Sequence, residues 1–567
     1  MTTVDLLLTN GHVFSSALHR FIETDVTVLD GKFYWLPAPG AFTGDAKKTI
    51  DLAGTYMIPG MVDSHMHIES SMTTPTRFGR AVAAHGTTTV IADAHEITNV
   101  AGLRGLQEFM AQPSDIDVFY AIPSSVPSTN PDMETTGGII GVAETKELLK
   151  NPRIICLGEA MNFKGITSEP DSLIRQLIAE CRRERPTMPL EGHCPKYTGE
   201  DLAKFIYSGI TSDHTQQTPA SILEKVTNGM FVQLQKKSLT AENIAAVKDH
   251  QLFENVALVT DDVMADDLRH GHLNKIVQQA INLGLDPVDA IYMATYTPAR
   301  HMGLWDRGSI TPGRVADFII LRDLQAFDVV AVYKNGQLVE PAADQSPADP
   351  HAFSTDLRHS VQAKPITAAD LQLRVPDDVS AVTANVIEIA AVGTFTKRVP
   401  VKLTVKDHLV QWQDADLALL MIQERYGHGG HIAFGLVKGA LSRPGAVGAT
   451  WAHDHHNVMV MGTTIADMVA AQNELIAEQG GYVVAEGGQI VANAPLPIGG
   501  VVSDAPIPVL GKQIADVRQA MQNLGYHNTN EIMSFSTLSL LVSPAFKMSD
   551  KGLFDVKSQV KIPLFAE

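Results

Sequence analysis

Cysteine is scarce in this sequence. The 567 residues include three, Cys156, Cys181 and Cys194, too few for a disulfide framework, so a reducing compartment is expected. Long apolar runs are missing, and none would span a bilayer. The opening MTTVDLLLTNGHVF has no basic segment followed by an apolar one, so no secretory signal is expected. Positive charge is in deficit. Lys and Arg number 44 against 63 Asp and Glu, a formal net charge of −19, and the acidic excess is spread along the chain. A nucleic-acid partner requires a basic face; the short run Arg182-Arg183-Glu184-Arg185 reads instead as a solvated helix end. Low-complexity tracts and short-period repeats are also absent. What remains is a cytoplasmic protein without a membrane or nucleic-acid role. Its 45% hydrophobic content is ample for two to four domains.

The first fifty-odd residues alternate and turn. Asn10-Gly11 and Asp30-Gly31 sit between strand-like runs, as in hairpins. From Pro59 onward, short apolar runs alternate with amphipathic helical segments, the pattern of parallel α/β structure. Eight such runs are present: MIPGMVDSHMH, TTTVIADAHE, DVFYAIPSSVP, RIICLGEAMNF, MPLEGHCP, GITSDHT, GMFVQLQ and VALVTDD. Thr218-Pro219 reads as a helix cap followed by proline at the first helical position. The expected fold is therefore a TIM-type (β/α)8 barrel over residues 59–304. Residues 1–58 and 305–345 together would form a small β-sandwich, and 365–567 a C-terminal α+β domain. The Pro- and Ala-rich stretch at roughly 340–365 reads as a linker.

Active-site groups of such barrels lie at the C-terminal strand ends, and here most runs end in His, Asp or Glu. His65 and His67 stand two apart on the first run, where alternate side chains share a face. Glu159, His193, His214 and Asp261 end the fourth, fifth, sixth and eighth. Four imidazoles and two carboxylates exceed what one tetrahedral ion needs. They suit two divalent cations sharing a carboxylate, with nitrogen and oxygen ligands that favour Mn, Fe or Zn. Such a pair activates water at neutral pH. Asp93, His95 and Glu96 follow the second run. Glu96 and Asp261 are suited to proton transfer, with Asp93 in support. Cys194 beside His193 reads as a packed thiol. The cluster WAHDHHN (His453, Asp454, His455, His456, Asn457) is open between a place at the barrel mouth, a further metal site, and an internal polar cluster.

PGMVDSHMHIESSM, GTTTVIADAHEITNV, LGEAMNF, EGHCP, SDH and TDD resemble the amidohydrolase superfamily. GLVKGALSRPGAVGATWAHDHHNVMVMGT, LPIGGVVSD and MSFSTLSLLVSPAFKMSDKGLFDV resemble the distinctive C-terminal region of bacterial adenine deaminases. The likeness spans nearly the whole chain. It implies a binuclear Mn or Fe centre, with Zn as an alternative, and hydrolysis of adenine to hypoxanthine and ammonia. It also implies that His65, His67, Glu159, His193, His214 and Asp261 are the ligands and that Glu96 shuttles protons. The expected partners are a purine base and further copies of the same chain. Loop residues depart from the family pattern at DAHE, EGHCP, HTQQ, LQKKS and TDDVMADD. Loops set specificity on a barrel, so deamination of another 6-substituted purine such as N6-methyladenine is the first alternative. Cyclic-amide hydrolysis is a second, and a catalytically silent metal-binding homologue a third.

Overall fold

The central layer is built from runs too apolar to face water on either side. Thr87–Ala92 (TTTVIA) is buried at every position, as expected of a strand covered on both faces. A computed structural model describes residues 2–340, 349, 351–376 and 379–566. Within them, eight parallel strands carry the runs read from the sequence. We number them β1 (Met61–Met66), β2 (Thr87–Ala92), β3 (Asp117–Ile122), β4 (Ile154–Ala160), β5 (Leu190–Gly192), β6 (Ser212–Asp213), β7 (Phe231–Leu234) and β8 (Val256–Leu258).

They form two arcs, one ordered β5-β4-β3-β2-β1 and one β6-β7-β8. At one junction Met66 bridges Asp261, and Asp261 N–H donates to His65 O at 3.2 Å. At the other, Thr211 N–H donates to Leu190 O at 2.8 Å, and Leu190 N–H to Thr211 Oγ1 at 2.9 Å. Helices follow the strands. Thr218 caps Pro219–Thr227 through Ser221 N–H, with the proline in the first turn. The Arg182–Arg185 run is not simply solvated. Arg182 donates to Pro186, Met188 and Gly209 carbonyls, and Arg185 to Ile154 and Leu149 carbonyls. The helix end is thereby tied to strand ends, because those carbonyls need donors.

Two β-sheets flank the arcs. One contains Thr3–Thr9 and Val26–Leu29. The other pairs Tyr56–Pro59 antiparallel with Phe318–Leu321, so segments before and after the arcs meet in one sheet. The C-terminal region is β-rich, with the helices Ile465–Ala477 and Ile507–Asn523 among its strands. Among the described residues its largest sheet has ten strands, including Leu417–Gln423, Ala446–Ala449 and Val458–Gly462. Residues 341–348 and 350 of the expected linker lie outside the described residues. Beyond them Ser354 caps a short helix, Thr355–Arg358, whose Leu357 is buried. One continuous apolar cluster joins Phe78, Ile97 and Leu177 of the arcs to Trp451, Ile498 and Leu510. The C-terminal region is thus packed onto the strand ends. No helix among the described residues is long and apolar enough to cross a membrane.

Candidate active site

β1 ends at Met66 with His65 on the strand and His67 just past it. Both imidazoles are buried. His67 Nδ1 lies 2.9 Å from the Asp93 carbonyl, which can only accept, so Nδ1 carries a proton and Nε2 is the nitrogen turned toward the carboxylates. That Nε2 stands 3.4 Å from Glu159 Oε1 and 3.5 Å from Asp261 Oδ1. Glu159, at the end of β4, divides its two oxygens. Oε1 faces His67 and, at 4.0 Å, His95 Nδ1. Oε2 faces His193 Nδ1 at 2.7 Å and His214 Nε2 at 3.2 Å. His65 Nε2 is 3.8 Å from Asp261 Oδ1. Asp261 itself adopts a left-handed backbone, φ 60°, a region in which Asp is among the more tolerated non-glycine residues. Gln235 Nε2 donates to its Oδ2.

Ligand atoms within 4.8 Å of one another form four groups among the described residues: His65/Glu159/His214, His65/His67/Asp261, His67/His95/Glu159 and His95/Glu96/Asp454. Five of the six expected ligands fall in them. His193 does not; it stands at the rim, hydrogen-bonded to Glu159 and 32% exposed. His95 was grouped with Asp93 and Glu96 in the sequence, outside the six, yet it joins two of the four groups.

The electrostatics suit cations. Burial alone would raise the Glu159 carboxyl, but the His214 charge and hydrogen bonds from His193 and His214 hold it well below the usual range. Asp261 is lowered against burial by His67, His214, Lys237 and His65. The counterpart is proton uptake by imidazole: His214 reaches about 9 despite burial, through Glu159 and Asp261. His65 is pushed well below its ordinary value by burial, His214 and His67, which leaves a free lone pair. A site that collects protons in this way exchanges them for metal ions. The buried atoms His65 Nε2, His95 Nδ1, His214 Nδ1 and Asp93 Oδ1 have no hydrogen-bond partner, an expensive arrangement unless another ligand satisfies them. The residues present therefore fit divalent cations held by nitrogen and oxygen.

Asp93 acts on Glu159 through the backbone, since Glu159 N–H donates to Asp93 Oδ2 at 2.8 Å. Gly158 makes that approach possible; a Cβ there would lie 2.2 Å from the same oxygen. Glu96 opens the helix His95–Met110. Burial would raise its carboxyl, yet His453, His456 and His95 hold it well below the ordinary value. His453 and His456 arrive on the loop between Ala446–Ala449 and Val458–Gly462. Trp451 Nε1–H anchors that loop to Glu69 O at 3.2 Å, and Asn457 Nδ2–H to Thr135 O at 2.9 Å. The cluster WAHDHHN thus stands at the strand ends. A cavity of about 310 Å³ is lined by His67, Glu96, Glu159, His193, Asp261 and His453.

Residues 56–339 match the amidohydrolase family, and residues 393–560 match the adenine deaminase C-terminal domain. The chain is 58% identical to an adenine deaminase of Lactobacillus delbrueckii subsp. bulgaricus over 100% of both chains. It is 56% identical to adenine deaminase 2 of Oenococcus oeni, over 100% of this chain and 99% of that one. The chain belongs to the adenine deaminase family. A Clostridium perfringens member is 46% identical over 99% of this chain and 100% of its own. Among solved structures, the enamidase, an amidohydrolase superfamily member, covers 60% of this chain and 97% of its own at 17% identity, with a TM-score of 0.47. The amidohydrolase match contains every strand of the two arcs, and the C-terminal match contains His453 and His456.

Proposed function

We propose that this protein hydrolyses adenine to hypoxanthine and ammonia. The observation that carries the reading is one cavity lined both by a carboxylate shared by four imidazoles and by Glu96, in a chain related end to end to adenine deaminases. We read the two arcs as a (β/α)8 barrel over 59–304, with a small β-sandwich from 1–58 and 305–345 and a C-terminal domain over 365–567. The hydrogen bonds at both arc junctions support closure. His65, His67, Glu159, His193, His214 and Asp261 would hold two divalent cations, Mn or Fe in preference to Zn. Bound there, they would make water nucleophilic at neutral pH.

The chain's own groups account for the rest. Glu96 delivers a proton to a ring nitrogen of the purine, which makes C6 electrophilic. Asp261 accepts a proton from the attacking water, and Gln235 orients it. The exocyclic amine leaves with a proton as ammonia, so adenine plus water gives hypoxanthine plus ammonia. Asp93 keeps the Glu159 backbone in register. A cavity near 310 Å³ suits a single base. It shares Gln216, Gln235, Lys237 and Asp262 with a neighbouring cavity of about 860 Å³, which favours N6-methyladenine as a second reading, since a substituent would have room. The free, buried thiols of Cys156, Cys181 and Cys194 support a cytoplasmic protein. We also expect a homo-oligomer, which light scattering of the purified protein tests.

The deciding assay follows absorbance and ammonia with adenine, N6-methyladenine, adenosine, guanine and dihydroorotate, using protein loaded with Mn or Fe. Hypoxanthine from adenine is expected, with adenosine poor. Turnover of dihydroorotate alone would move the protein to cyclic-amide hydrolysis. Full metal occupancy without any turnover would make it a silent homologue.

A further inference from the structure

Water attacks a purine at C6 along the face of the ring, whereas a proton reaches a ring nitrogen within its plane. A base that turns one face to the strand ends leaves the other to be covered. An aromatic side chain covers it best, because every base has a π-face. Among the described residues that line the cavity of about 310 Å³, Phe395 alone carries a phenyl, phenol or indole ring. It stands on the loop 390–395, which joins the antiparallel strands Ala381–Ile389 and Thr396–Lys406 of the C-terminal region. The loop is braced from behind. Asn528 Nδ2–H donates to the Ala390 and Gly393 carbonyls, each at 2.7 Å. Thr529 N–H donates to Ala391 O at 3.0 Å, and Lys547 to Thr394 O at 2.7 Å. Lys196, on the loop after β5, places Nζ 3.9 Å from the centroid of the Phe395 ring, an attractive cation–π contact. Lys196 does not line the cavity, so it backs the ring from outside. Phe395 is nevertheless 38% exposed. An apolar ring held this firmly with its surface open is preorganised for a ligand.

We propose that Phe395, backed by Lys196, is a specificity-determining residue that stacks on the purine face opposite the strand ends. The proposal rests on reading the cavity as a purine site. The stack forms on binding and persists through the reaction, so it sets affinity rather than rate. It also selects among ring types. Adenine and hypoxanthine are planar and offer a full π-face. Dihydroorotate has two saturated ring carbons and does not, so the platform favours heteroaromatic bases over saturated cyclic amides. The metal-facing groups come from the arcs, and this selective wall comes from the C-terminal region.

The test compares Phe395→Ala, Phe395→Leu and Phe395→Tyr with the parent, as full-length metal-loaded protein. Phe395→Ala is expected to raise the KM for adenine and the inhibition constant of hypoxanthine together, by about 5–150-fold. Its kcat, metal content and circular dichroism should stay near parental. Phe395→Tyr keeps a π-face and should bind as the parent does. Phe395→Leu is apolar without a π-face and should fall nearer to Phe395→Ala. Parental constants in Phe395→Ala, or a Phe395→Leu enzyme that matches Phe395→Tyr, overturn the proposal. A changed mass in light scattering with unchanged hypoxanthine inhibition also overturns it, and makes Phe395 a contact between copies of the chain. The parent distinguishes the two failures. If it neither turns over adenine nor binds hypoxanthine, the reading of the site has failed and the platform with it. If it does both and Phe395→Ala does so equally well, only the platform has.

Discussion

His65 and His214 stack face to face, their ring centroids 3.7 Å apart and their planes inclined by 20°. One comes from β1 and the other follows β6, so the two arcs bring them together. Rings this close resist carrying charge together, and burial with His214 alongside keeps His65 well below its ordinary pKa. Replacing either with Ala is expected to remove bound metal and abolish turnover while the far-ultraviolet circular dichroism stays parental. Elemental analysis of the purified variants checks this. Full metal and full activity in His65→Ala would take the strand ends out of the reaction.

Glu159 distributes its oxygens between two pairs of imidazoles. Without that negative charge, neighbouring cations would repel each other with less compensation. Glu159→Ala is expected to retain at least one ion fewer per chain than the parent. An unchanged stoichiometry would assign the shared ligand to another group.

Glu96 is enclosed by three imidazoles and aims at the cavity. Glu96→Gln preserves shape and hydrogen bonding but not proton delivery. Metal content and KM should stay near parental while kcat falls by about 10²–10⁴. A parental kcat would reduce Glu96 to a structural role.

Gly158 leaves room for the Asp93 carboxylate that receives the Glu159 N–H. Gly158→Ala forces these groups apart, at an expected cost of about 1–3 kcal/mol. Its thermal midpoint should fall and its metal should dissociate more readily in a chelator titration. A variant with unchanged midpoint and metal retention would show that Asp93 is free to shift.

Lys547 is buried and donates to Thr394 O at 2.7 Å, and burial pushes its ammonium down to about 7. In the unfolded chain it titrates at about 10.4. Between these values the unfolded state binds a proton that the folded state has lost, so this group makes stability rise with pH from about 7 to 10. Below 7 both states are protonated and the burial cost is constant. Lys547→Met should flatten that rise, measured as thermal midpoints from pH 6 to 10. An identical slope in both proteins would trace the dependence to another group.

The eight strands were legible because most lie in short apolar runs that end in histidine or a carboxylate. Thr87–Ala92 and its neighbours needed no tertiary information. The ligand candidates followed from the same rule, since strand ends converge wherever the strands are parallel. Three features were not legible. His453 and His456 reach Glu96 across some 360 residues, and no local periodicity encodes such a meeting. Gly158 looks like any strand glycine until the Asp93 carboxylate is placed beside it. The bonds of Arg182 and Arg185 to carbonyls depend on where neighbouring strands end, so their run read as solvated charge. His95 was visible as a histidine, but only packing shows one ring nitrogen toward Glu159 and the other toward Glu96.

The order in which the site's parts occur along the chain has a consequence during synthesis. All six candidate ligands precede residue 262, whereas His453 and His456, which meet Glu96, are about 190 residues further on. At about 5–20 residues per second, a ribosome takes roughly 10–40 s to cover that distance. Through that interval Glu96 exists without the two C-terminal imidazoles that later meet its oxygens. The site is thus completed in two stages, with the candidate ligands made first and the C-terminal imidazoles last.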